Sequence, residues 1–182
     1  MTRMLLWIAA GFVLGGIIHI AVILSLPALA TEGLWARVVP LGALNKPVVL
    51  AGPASGSPNP LRLDPELTYA LCQIDLRQGP GFVRGTLPIT SWSVAVYAPN
   101  GTIIYSTTNR DGIGNVLDLG IFNAAQTRLL AEQQLDVAEG LLIVESSADD
   151  VLAVVRLAPA HQVMRGRYQA ALGRLACGNL PS

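Results

Sequence analysis

The sequence predicts a mainly β fold of α+β character: an N-terminal transmembrane helix, then an antiparallel β-sandwich-like domain with two short helices. Three observations predict it. Met4 to Leu26 is an uncharged run of 23 residues, and a helix rising 1.5 Å per residue needs about 20 apolar residues to cross a bilayer core. Beyond it, short segments alternate between apolar and polar side chains, the period of a strand with one buried face. Turn residues punctuate those segments, and an Asn100-Gly101 pair stands between two of them.

The anchor occupies residues 1–30, a juxtamembrane segment with a Pro/Gly/Ser loop residues 31–63, and an exported β-rich domain residues 64–182. The apolar run has two readings. Its length favours a retained anchor, since the apolar core of a secretory signal spans about 7–15 residues; Ala28-Leu29-Ala30 has the small-x-small form of a cleavage site and keeps the signal reading open. Pro27 is expected to end the helix. Arg3 precedes the run and Glu32 follows it, so the bias of basic residues places the N-terminus in the cytoplasm and the domain in the periplasm, with the span in the inner membrane. Within the run, Gly11, Gly15 and His19 recur every four residues. Small residues so spaced let two helices approach closely, and a histidine is costly against lipid, so this face is a candidate pairing surface with a second copy or another membrane protein.

Residues 31–44 read as a short interfacial segment, helical around Leu34–Val38, with Trp35 and Arg37 as belt residues. Val48–Leu50 reads as a strand, and Gly52–Pro60 as a loop without packing capacity. Thr68–Leu76 alternates and reads as a half-buried strand, Ala70, Cys72, Ile74 and Leu76 sharing a face. A Gln78–Gly81 turn leads to a strand over Phe82–Leu87. Trp92–Tyr97 and Thr102–Thr107 form a hairpin about Asn100-Gly101, both of which tolerate positive φ. Asn109–Asn115 is a polar loop. Val116–Ile121 is a strand, and Asn123 caps a helix running to about Gln134 with Leu129 and Leu130 inward. Gly140–Glu145 and Val151–Leu157 are strands, the second apolar on both faces and therefore central. Pro159 opens a closing helix to about Leu175, with Cys177 in a short tail.

Residues 31–182 include all 12 acidic groups and all but one of the 12 basic ones, with no basic stripe, which argues against nucleic acid as a partner. Arginine outnumbers lysine eleven to one, a compositional bias. Cys72 and Cys177 both fall on the side expected to be oxidising, where one disulfide is permitted; two buried thiols are the other reading. The cysteine spacing fits no redox or zinc motif.

Little carries chemistry. His161, beside Pro159, has no motif partner, Asp149-Asp150 lacks the further oxygens a hard cation needs, and Asp111-x-x-x-Asn115 misses cation-loop spacing. No cofactor is implied, and the sparse acid–base equipment inclines the reading away from an enzyme. Asp75 and Arg77 end one strand, and Asn109, Arg110 and Asp111 end the hairpin. If those ends share a rim they make a polar patch able to hold a small anion; otherwise they are salt-bridged strand ends.

Cys72-x-x-Asp75-Leu76-x-x-Gly79-Pro80, Trp92-Ser93-Val94-x-Val96-Tyr97-x-x-Asn100-Gly101, Tyr105-Ser106-x-x-Asn109-Arg110 and Val144-Glu145-x6-Leu152-x-Val154-x-Arg156 together resemble the bacterial family called domain of unknown function 1254, in its short membrane-anchored form. The resemblance covers most of residues 64–177 and the anchor. It implies an exported β-rich domain often encoded beside, or fused to, a sister domain, and it supplies no reaction. The leading expectation is thus a single-pass, envelope-facing assembly component working with a sister membrane protein or with itself. A periplasmic module binding a small ligand is the alternative, and a hydrolase the weakest reading.

Overall fold

The computed structural model describes residues 2–29, 33–50, 52–54, 56–111, 114–132 and 140–180. The chain divides into two compact units, Met1–Gly33 and Leu34–Ser182.

The first unit is helix α1, Thr2–Leu29. Thr2–Leu26 is long and apolar enough to span a membrane. Pro27 does not end the helix, which runs on to Leu29. Proline's φ is helical, and a proline lacks only its own N–H in the backbone ladder.

The second unit begins with α2, Leu34–Val38, and continues through β1, Val48–Leu50; β2, Thr68–Asp75; β3, Gly81–Thr86; β4, Trp92–Tyr97; β5, Ile103–Thr108; and β6, Val116–Asn123. Then come α3, Ala124–Glu132; β7, Leu142–Ser146; β8, Asp150–Leu157; α4, Arg165–Leu172; and β9, Ala176–Asn179. The strands form a five-stranded sheet in the order β1-β2-β8-β4-β5 and a four-stranded sheet in the order β7-β6-β3-β9. All pairings are antiparallel except β6 with β7.

Inward-facing Cys72, Ile74, Val94, Val96, Val151, Ala153 and Val155 of the larger sheet meet Val83, Leu117, Leu119, Ile121 and Val144 of the smaller one in a single core, and Tyr168 and Leu172 of α4 join it. β8 is central, as its two-sided apolar pattern predicts, lying between β2 and β4.

Several expectations are corrected. The compact unit starts at Leu34, not near Asp64. Residues 34–43 and 61–67 supply a layer on the outer face of the larger sheet, where Val38, Ala43 and Leu63 pack on Tyr69, Leu71, Leu152 and Val154. β2 is therefore buried on both faces rather than one. Trp35 packs on this layer, and Arg37 donates to the Pro60 carbonyl at 2.7 Å.

The hairpin is present, but only Gly101 has positive φ (84°). Gly101 N–H donates to Ala98 O at 2.9 Å, a type I turn with Pro99 preset at its second position. Asn100 acts through its side chain, which accepts from Thr102 N–H. Leu129 is exposed, Leu130 is half-buried, and α3 buries no residue. Its expected end near Gln134 lies outside the described residues.

β7 and β8 belong to different sheets, so the 147–149 link crosses between them. Pro159 opens no helix: His161 is extended, a 3-10 turn spans Gln162–Met164, and only then does α4 begin. Cys177 lies in β9 rather than in a tail. A glycine, a short strand and an edge position hid β9 from its alternation.

Candidate functional site

The expected polar patch is two separate places. Asp75 is opposite Asp150 at the start of β8, whereas Trp92 is opposite Leu157 at its end and Ser93 opposite Thr108. Seven residue steps of about 3.3 Å put Asp75 and Asn109 roughly 23 Å apart along the sheet. A strand's two ends cannot be told apart until the pairing directions are known, which is why spacing alone suggested a single rim.

At the first end, Arg77 Nε donates to Asp75 at 2.7 Å and its terminal nitrogen to both oxygens of Asp150 at 3.1 and 3.2 Å. The Arg77 guanidinium holds the Asp75 carboxyl below the ordinary carboxylate range, and the carboxylates raise Arg77 in turn. Asn179 donates to the carbonyls of Asp75 and Gly79, so β9 closes the same corner. An arginine already shared by two carboxylates has no charge left for an anion; this end organises the 75–80 turn.

At the other end Asp111 accepts from the Thr107 hydroxyl at 2.6 Å, which holds its carboxyl low, and Asn109 N–H donates to Trp92 O. Asn109 and Arg110 border a cavity of about 380 Å³ with Ser91, Ser93, Thr108 and Arg156. The buried Trp92, also in its lining, has an indole N–H without a partner among the described residues.

Beside it, on the outer face of the larger sheet, lies a cavity of about 290 Å³. Antiparallel register builds its floor: Leu71 and Val154 share one row, Tyr69 and Arg156 the next, and Tyr97 is opposite Leu152. Leu34 and Val38 of α2 and the Leu61–Leu63 turn form its walls. That turn is built firmly. The Asn59 side chain accepts from Leu63 N–H and donates to Leu63 O, both at 2.8 Å, holding Arg62 at φ 51°. Bulky residues in that conformation are uncommon and persist only where the surroundings enforce them.

Arg156 borders both cavities. Half-buried, it donates to the Tyr97 hydroxyl at 2.6 Å. Tyr69 is pinned by the Asp64 backbone, its hydroxyl accepting from Asp64 N–H at 2.8 Å, and burial pushes its phenol up. Sequence reasoning missed this site. The available signal was Arg156 itself, the one charge in the apolar run Val151–Leu157.

Gly11, Gly15 and Gly16 have no chain atom within 4 Å of where a Cβ would stand, and His19 is exposed beside them. Cys72 of β2 and Cys177 of β9 stand at disulfide distance, with sulfurs 2.01 Å and Cα atoms 6.5 Å apart. His161 is exposed, and among the described residues no group of three metal-ligating side chains forms.

No protein-family model matches the chain, and no curated protein does. Solved structures match its fold. The VPA0106 protein of Vibrio parahaemolyticus is 9% identical with a TM-score of 0.51, over 65% of this chain and 29% of its own. An uncharacterized protein from Burkholderia cenocepacia is 11% identical with a TM-score of 0.47, over 81% of this chain and 39% of its own. The chain thus spans less than two fifths of either protein.

Proposed function

We propose that the chain is a single-pass protein of the bacterial inner membrane whose β-domain, on the periplasmic side, is a binding module for a small ligand. The observation that carries the reading is the outer-face cavity. It is concave and mostly apolar with a few convergent polar groups, the usual composition of a ligand site, and its volume lies at the small end of the usual range of about 300–1,000 Å³. The apolar helix supports the membrane attachment, and the cysteine pair at bonding distance fits an oxidising compartment. Membership of the domain of unknown function 1254 family belongs to the same proposal. Native mass spectrometry of the full-length protein released from lipid nanodiscs tests it. A discrete non-covalent mass on the wild type, absent from Val154→Phe, which fills the cavity, is the expected result; no bound mass and no stabilisation by any small apolar compound would sink it.

A second reading, assembly with a sister membrane protein or a second copy, draws on the uncovered Gly11, Gly15 and His19 face. Gly15→Leu should abolish a cross-linked complex in vivo while leaving the domain folded. An unchanged complex removes that face from consideration.

A further inference from the structure

We infer that the outer-face cavity takes an anionic amphiphile, a compact apolar body carrying one carboxylate or phosphate, with Arg156 receiving the head. This rests on the binding-module reading of the same cavity and names its ligand class.

The charge arrangement points there. Arg84 of β3 has Asp118 at 2.7 Å, and Arg77 has two carboxylates. Arg156 has no carboxylate within 4 Å among the described residues; its terminal nitrogen donates to a neutral phenol. A guanidinium presents five N–H donors, and one hydroxyl accepts few of them. Leaving a half-buried cation beside Val154 and Leu152 without an anion is unfavourable, and a carboxylate or phosphate satisfies the planar fork with two parallel bonds. Neither cavity that Arg156 borders has an acidic residue in its lining, while Arg62 stands at the rim of one and Arg110 at the rim of the other. The charge in both linings is therefore positive, with Asp64 behind Tyr69 and Asp111 beside Arg110 standing outside them.

Size and polarity sort the parts of the ligand. At the ≈ 30 Å³ that one water occupies in the liquid, the apolar cavity holds on the order of ten heavy atoms. Leu61, Leu63, Leu71 and Val154 would take the body. The second cavity that Arg156 borders, with Asn109 and Arg110 in its lining, leaves room for a head larger than a carboxylate.

The test is calorimetric titration of the full-length protein in phosphatidylcholine nanodiscs with octanoate, octyl phosphate, 1-octanol and octylamine, against empty nanodiscs to subtract partitioning. One anion should bind saturably, one per chain, at least tenfold tighter than 1-octanol, with octylamine weakest. Arg156→Gln, which keeps a donor for Tyr97 and removes the charge, should erase the preference over 1-octanol. Carboxyl-labelled octanoate gives a readout needing no variant: bound to the wild type, its carboxyl should titrate at least one pH unit below free octanoate. Binding of 1-octanol as tight as the anions, with an unshifted carboxyl, overturns the anionic assignment and leaves a neutral-ligand module standing. No binding of any probe overturns both.

Discussion

At Asp111 a single hydroxyl decides how a carboxylate titrates. The Thr107 side chain, almost wholly buried, donates to it at 2.6 Å, and this bond leads the causes that lower its pKa from the ordinary 3.8. A carboxyl held below its unfolded value stabilises the fold above the ordinary Asp range, and that stabilisation disappears as pH falls through the lower native value. Thr107→Val keeps the shape and removes the donor. Its expected effect is an upward move of the Asp111 titration in carbon-detected carboxyl NMR, with Asp75, under its own partner Arg77, left where it was. Asp111 is fully exposed, so the readout is the titration and not the melting temperature. A different residue-scale constraint holds at Gly52. A Cβ there would stand 2.7 Å from the Pro65 carbonyl oxygen and 2.9 Å from its Cα. Both are backbone atoms and cannot swing aside, so Gly52→Ala should cost about 1–3 kcal/mol, read as a lower guanidinium midpoint. Composition reads Gly52–Pro60 as an open loop; the close approach of Gly52 to Pro65 depends on a contact 13 positions away that no local signal records.

Elements held by packing and elements held by their own ends respond differently to mutation. α3 belongs to the second kind, since it buries no residue. What fastens it is a reciprocal cap: Gln126 N–H donates to the Asn123 side chain at 3.0 Å, and Asn123 N–H to the Gln126 side chain at 2.9 Å. Gln126 also reaches across to donate to Leu76 O at 2.7 Å. Asn123→Ala should therefore cost about 1 kcal/mol and appear first as faster amide exchange through Ala124–Arg128, with the β8 amides unaffected. The cap was legible in Asn123, while the inward placement of Leu129 was not. Two adjacent leucines satisfy a helical period whether or not a core lies beneath them. Strand alternation was more informative. β1 and β4 have the bounds their patterns indicate, because apolar runs between Pro and Gly signals leave little freedom at either end. β9 escaped because Gly178 and Asn179 carry no period, and its place depends on the distant β3.

For the molecule as a whole, local pattern made the layers readable and left pairing hidden. Eight short strands with a central apolar one imply a sandwich, but nothing local says that β8 inserts between β2 and β4 or that β7 crosses to the other sheet. The same ignorance of pairing put Asp75 and Arg77 on one rim with Asn109 and Arg110, and it concealed the outer cavity, whose lining comes from five separated stretches of chain. The cysteines are the long-range signal the sequence does contain. Cys72 lies in the five-stranded sheet and Cys177 in the four-stranded one, 105 residues apart. A bond closing a loop of that length restricts the unfolded chain by about 4–5 kcal/mol in the chain-entropy model, an upper figure wherever the unfolded chain keeps structure. It also fastens β9, a four-residue edge strand, to the far side of the core. Replacing both cysteines with alanine should then act in two ways. The guanidinium midpoint should fall with little change in slope, and amide exchange at Ala176–Asn179 should accelerate more than at β8. Reductant should reproduce the fall in the wild type and leave the double variant unmoved. A wild type whose midpoint ignores reductant, or a purified chain whose intact mass shows two free thiols, would mean that the sandwich holds by packing alone and that the cysteines are buried apolar side chains.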